Sequence, residues 1–187
     1  MNRFSPLERA RCVALAALAS IALAAAACGS ATTPQANAPS NAAMAPDFSV
    51  DLMSGENFRL ADHLGKDVVL IDFWTTFCVP CVAVLTHLEE IQNKYKDKGL
   101  VVLGVAMDPP ETAGQIGPFM RSHGLHFAVA HDINSQVTNL YNKKTAAPYQ
   151  VLIGRNGQII KRRETYQPGD EVGMEADVVA ALAQAAR

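Results

Sequence analysis

Two cysteines with two residues between them, Cys78 and Cys81, lie in the stretch Phe73-Trp74-Thr75-Thr76-Phe77-Cys78-Val79-Pro80-Cys81. A pair at this spacing can exchange a disulfide with another molecule and then close one between its own sulfurs. On the first turn of a helix, residues i and i+3 share a face, and their Cα separation suits the ~5.5 Å that a disulfide spans. Exchange needs a thiolate, and the unpaired N–H groups and dipole of a helix N-terminus favour that form. Pro80 fits the first helical turn, where a missing N–H costs no hydrogen bond. The sequence therefore assigns Cys78 as the exposed, low-pKa nucleophile and Cys81 as the buried partner that resolves a mixed disulfide.

Asp72 interrupts an otherwise apolar run six residues before Cys78. A carboxyl buried there would titrate high and could exchange a proton with Cys81 through water. Trp74 is expected to pack beside the cysteines and limit solvent. Trp74, Val79 and Pro80 are grouped as the side chains that a substrate meets. His123, His126 and His131 cluster, and His123-x-x-His126 has metal-like spacing, but a zinc site wants four ligands. His87 points away from the cysteines on its helix. The expectation is no metal and no cofactor.

These residues need elements to hold them. Asp47–Leu52 alternates, Ser54-Gly55 turns and Asn57–Leu60 returns, which predicts an N-terminal β-hairpin. Val68–Phe73 and Leu100–Ala106 are short, β-branched apolar runs, as in buried strands. Residues 79–97 carry apolar side chains at i, i+3 and i+4 and end at Gly99, which predicts a helix. Further helices are expected over Glu111–Ser122, Asn134–Tyr141 and Val172–Ala186, and a strand over Phe127–Ala130. Gln150–Ile153 and Gln158–Arg163 form a hairpin through Asn156-Gly157. The order gives an α/β fold with a mixed central sheet flanked by helices.

The chain has 187 residues and a formal net charge of −2, which suits one domain with appendages. With no basic cluster, nucleic acid is not an expected partner. Four cysteines are too few for a disulfide-stapled scaffold. Arg3, Arg9 and Arg11 precede Val13–Ala27, a run rich in Ala and Leu, so residues 1–27 read as a signal peptide. The run is shorter than the ~20 residues that a membrane-spanning helix needs. Residues 28–45 carry no charge, aromatic or periodicity and read as a disordered tether. The domain is expected over 46–187.

Ala25-Ala26-Ala27-Cys28 resembles the lipobox of bacterial lipoproteins, which implies that Cys28 is lipidated and tethers the protein to a membrane. The domain resembles the thioredoxin superfamily, and within it the exported TlpA/ResA-type thiol–disulfide oxidoreductases. Ala45-Pro46-Asp47-Phe48, the hairpin, Gly65-Lys66, Phe73-Trp74 before the CxxC, an inserted α–β unit near 109–130 and Pro148 before a strand carry that resemblance. It implies a thioredoxin-like fold in which Pro148 is cis beside the disulfide. It also implies that Ala147 offers backbone groups to an extended substrate, and that Asp72 serves Cys81 as proton acceptor.

The activity implied is a thiol–disulfide oxidoreductase, a reductant of protein disulfides such as apocytochrome c or cuproprotein thiols. It would work on the periplasmic side of a bacterial membrane and be re-reduced by a membrane electron-donor protein. The chain departs from ResA-type relatives at Val84 and Thr86, where those have Glu and Pro, so an unkinked first helix is expected. Two alternatives remain. A peroxiredoxin-like thiol peroxidase matches at Thr75 and Cys78 but has Ile71 where its proline belongs. A Sco-like copper module would need a wider cysteine gap, and a His where Pro148 stands.

Overall fold

A computed structural model describes residues 43–184. The leader, Cys28 and most of the tether expected at 28–45 lie outside the described residues. Ala43–Ala45, assigned to the tether, instead pair with the domain: Ile159 N donates to Ala43 O at 2.9 Å and Ala45 N to Gly157 O at 2.8 Å.

Strands β1 (Ser49–Asp51) and β2 (Asn57–Arg59) form the N-terminal hairpin. The main sheet holds β3 (Val68–Trp74), β4 (Leu100–Ala106), β5 (Ala128–His131), β6 (Tyr149–Ile153) and β7 (Ile159–Glu164) in the order β5-β4-β3-β6-β7. The β5-β4-β3 ladders are parallel and the β3-β6-β7 ladders antiparallel, so the sheet is mixed. Helices α1 (Val79–Tyr95), α2 (Ile116–Ser122), α3 (Gln136–Tyr141) and α4 (Asp170–Leu182) connect or follow the strands. Gly99, at φ 89°, closes the turn between α1 and β4 in a left-handed conformation that glycine adopts without penalty.

Every residue of β3 is buried, as expected of a central strand covered on both faces. Val68, Leu70 and Trp74 pack with Leu85 and Leu88 of α1 and with Met174 and Val178 of α4. The alternate residues Val69, Ile71 and Phe73 face Phe48, Phe58 and the α3 side chains Val137 and Tyr141. Period-two alternation thus divides the strand between two cores.

Boundaries differ from the sequence reading in places. The helix expected over Glu111–Ser122 starts as a 3₁₀ turn at Ala113–Gln115, and α2 proper begins at Ile116. Gly114, Gly117 and Pro118 explain this: Pro118 supplies no N–H, so a helix reaching back past it would lose an interior bond. Ser135, at φ 53°, delays α3 to Gln136. Helix α4 begins at Asp170 after Gly169 and ends at Leu182. Helix α1 runs unbroken for 17 residues, with Thr86 inside it.

Candidate functional site

The site lies where the parallel strands β3 and β4 end at their carboxyl edges, the usual position for function in an open α/β sheet. After Trp74 the chain turns through Thr75-Thr76-Phe77, and Cys78 caps α1. Cys78 and Cys81 are joined as a disulfide, with Cα atoms 5.3 Å apart. Cys78 is half-buried, whereas Cys81 is fully buried against Leu85 and Trp74. The first turn of α1 carries no acidic residue, so nothing there offsets the dipole that favours a thiolate at Cys78.

The turn before Cys78 is anchored by Asp108, which follows β4 and is itself buried. Thr76 N donates to Asp108 Oδ2 at 3.0 Å, the Thr76 hydroxyl donates to Oδ1, and the Thr112 hydroxyl donates to Oδ1 at 3.0 Å. On the far side, the Ala147–Pro148 peptide is cis. Between the two sides runs a groove of ≈ 590 Å³. Phe77, Cys78, Val79 and Pro80 line one wall; Met107, Ser135, Thr145 and Ala147 are among the residues opposite. No lining residue is charged. Phe77 and Val79 stand 64% and 82% exposed at the lip, so the groove offers apolar surface directly beside Cys78.

Of the residues singled out in the sequence, Cys78, Val79, Pro80 and Ala147 meet in this groove, and Pro148 is buried directly behind Ala147. Trp74 does not reach it. Its indole is wholly buried and packs at a tilt of 35° against Phe119, with centroids 5.1 Å apart. Grouping it among substrate-contacting side chains is therefore corrected: its position on β3 turns it under α1, so it backs the disulfide from inside.

Asp72 is also wholly buried, on the α1 face of β3 between Leu70 and Trp74. Gln150 Nε2 donates to its Oδ1 at 2.8 Å, while Oδ2 has no partner. Loss of solvent pushes this carboxyl up to about 8, with the Gln150 donor opposing the shift. Position Ile71, where a peroxidase proline would stand, is a buried core residue of β3 pointing away from Cys81. Among the described residues, no three His, Cys, Asp or Glu side chains gather to hold a metal ion, and no helix is long and apolar enough to cross a membrane.

Sequence reasoning missed Phe77, Met107, Asp108, Asn142 and Gln150. Gln150 carried the same signal as Asp72, a polar residue in an apolar strand. Asp108 and Asn142 carried none, because their hydrogen bonds depend on loops that the sequence does not place.

The family model described as the AhpC/TSA family matches residues 42–162. Thiol-disulfide oxidoreductase ResA of Oceanobacillus iheyensis is 35% identical over 119 residues, covering 62% of this chain and 60% of that protein's length. ResA of Bacillus thuringiensis subsp. konkukian is 31% identical over 128 residues, covering 68% of this chain and 72% of that one. A crystal structure of a Chlorobium tepidum protein assigned as thiol:disulfide interchange protein DsbE superimposes with a TM-score of 0.69 at 33% identity. That match covers 75% of this chain and 96% of that one.

Proposed function

We propose, for a chain that belongs to the AhpC/TSA family and has a thioredoxin-like fold, that it is an exported thiol–disulfide oxidoreductase that reduces disulfides in other proteins. The observation that carries this reading is the asymmetry of the cysteine pair. Cys78 opens onto a groove that can take an extended peptide, whereas Cys81 is sealed beneath it. Similarity to ResA proteins supports the same chemistry.

In the reduced protein, the Cys78 thiolate attacks one sulfur of a substrate disulfide lying against Ala147 and Pro148. A Cys78–substrate bond forms, the substrate S–S bond breaks, and the departing thiolate takes a proton from solvent. Cys81 then gives its proton to Asp72, and its sulfur attacks Cys78 Sγ. The mixed disulfide breaks, Cys78–Cys81 closes, the second substrate thiolate takes a proton from solvent as Asp72 releases one to it, and the substrate leaves carrying both electrons as two thiols. Trp74 and the core beneath keep water from the resolving sulfur. Uncharged groove walls favour substrate segments without charged side chains beside the cysteine, since a buried unpaired charge is costly. Apocytochrome c and cuproprotein thiols are candidate substrates. A membrane electron-donor protein returns the chain to the dithiol, and lipidated Cys28 keeps it at the membrane.

Turnover of a protein disulfide with the two single-cysteine variants tests the reading. Cys78→Ser abolishes turnover, and Cys81→Ser accumulates a mixed disulfide on Cys78. Retained turnover in Cys78→Ser would sink the mechanism. Direction is read from the equilibrium reduction potential, followed by Trp74 fluorescence. A value near ~−270 mV marks a reductant, and one near ~−120 mV an oxidant.

A further inference from the structure

Four residues stand side by side across the sheet on its α1 face. Asp72 of β3 is opposite Gly104 of β4 on one side and Gln150 of β6 on the other, and Gln150 is opposite Arg163 of β7. Directly opposed residues project from the same face of a sheet. The row therefore runs from a fully buried carboxyl out to Arg163, which is ion-paired with Asp177 of α4.

Gln150 is the buried middle of this row. Its Nε2 makes the single hydrogen bond that the Asp72 carboxyl receives, leaving Oδ2 unpartnered. On its other side it lines a recess between β7 and α4 with Lys161, Arg163, Met174 and Asp177. The ionisable groups on this face are Cys81, His87 and Tyr95 of α1, Lys161 and Arg163 of β7, Tyr166 and Asp170 beside a second recess that Gln150 also lines, and Asp177 of α4; β4 contributes only Gly104.

We infer that Gln150 is a positioning residue for proton transfer: it holds Asp72 by Oδ1 so that Oδ2 alone is open to the Cys81 proton, and it walls the carboxyl off from the recess. This rests on the reading of Asp72 as proton acceptor. A neutral donor suits that task. An ammonium or guanidinium at this position would hold Asp72 ionised and make it a poor base. An apolar side chain would leave the carboxylate with no donor and hold it protonated. Gln150 lies between these limits, while the cation nearest it in the ladder, Arg163, is engaged by Asp177.

Gln150→Met keeps the length and removes the donor; Gln150→Leu serves if that variant does not fold. The reduced protein is mixed with a saturating peptide disulfide, and the first-order resolution rate is followed over roughly pH 5 to 10. Loss of a hydrogen bond to a charged group moves the inflection alkaline by about one pH unit and slows the acid limb roughly tenfold. The second-order attack by Cys78 does not change. In an Asp72→Asn background, Gln150→Met has no further effect. An unmoved inflection in Gln150→Met, with the inflection displaced in Asp72→Asn, overturns the role of Gln150 alone. An inflection that stays in place in Asp72→Asn overturns the acceptor reading and this inference with it. An equal shift in both backgrounds also overturns it.

Discussion

Asn142 grips Ala146 by both of its backbone groups: Ala146 N donates to Oδ1 at 3.0 Å, and Nδ2 donates to Ala146 O at 2.8 Å. The same Nδ2 lies 3.6 Å from the sulfur of Met107, which lines the groove on the same side as Ala147. A side chain 2% exposed thus fixes the residue just before Ala147 and ties it to the loop after β4. Asn142→Ala leaves two backbone groups without their partner, at a cost of about 1–3 kcal/mol in denaturant unfolding. It also loosens the backbone that faces a substrate. KM for a peptide disulfide is expected to rise several-fold while kcat changes little; a loss confined to kcat would mean that the clasp acts on the cysteines instead.

Phe77 offers the contrasting case, because it contributes to the groove and little to the core. At 64% exposure, Phe77→Ala is expected to shift unfolding by no more than about 0.5 kcal/mol. It removes the largest apolar side chain at the lip beside Cys78. Reduction of protein disulfides should therefore lose several-fold in kcat/KM, while reduction of a small, flexible aliphatic disulfide is nearly unaffected. Equal loss on both would show that Phe77 acts on Cys78 reactivity rather than on docking.

Gly104 is small because three side chains crowd it. A Cβ there would sit 2.9 Å from Phe127, 3.1 Å from Trp74 Nε1 and 3.2 Å from Val129. Gly104→Ala is expected to destabilise the domain by about 1–3 kcal/mol through overpacking. Trp74 is the chain's one tryptophan, so its displacement is visible as a change in near-ultraviolet circular dichroism. An unchanged spectrum with full stability would mean that Phe127 and Val129 yield freely, and that the packing over Trp74 is looser than these distances imply.

The strands and α1 were legible in the sequence because burial on two faces leaves an unbroken apolar run, as at Val68–Phe73, and burial on one face leaves a helical stripe, as at Leu85, Leu88 and Ile91. The cysteine pair was legible because its spacing and its place between strand and helix are local facts. Trp74 was misassigned because adjacency in sequence to Cys78 says nothing about which side of β3 an indole turns to. Asp108 reaches Thr76 across 32 residues, and Gln150 reaches Asp72 across 78. Such bonds exist only once strand order brings the partners together, and no local pattern encodes them.

Asp72 makes the domain's stability depend on pH in a direction opposite to that of most acids. Its ordinary value is 3.8, and in the folded protein burial raises it to about 8. Between those values the folded state keeps a proton that the unfolded chain has lost, so stability falls as pH rises through this window and levels off above it. The slope is at most about 1.4 kcal/mol per pH unit. Asparagine mimics the protonated acid and can still accept the Gln150 hydrogen bond. Asp72→Asn and the unaltered protein are therefore expected to be similar in stability near pH 4. The variant gains steadily on the unaltered protein toward pH 8. Urea unfolding of both oxidised proteins at a series of pH values checks this. A difference that stays flat, or that favours the carboxyl at high pH, would mean that Asp72 is ionised in the folded protein. With its ordinary acidity it would then be too weak a base to hold the proton of Cys81.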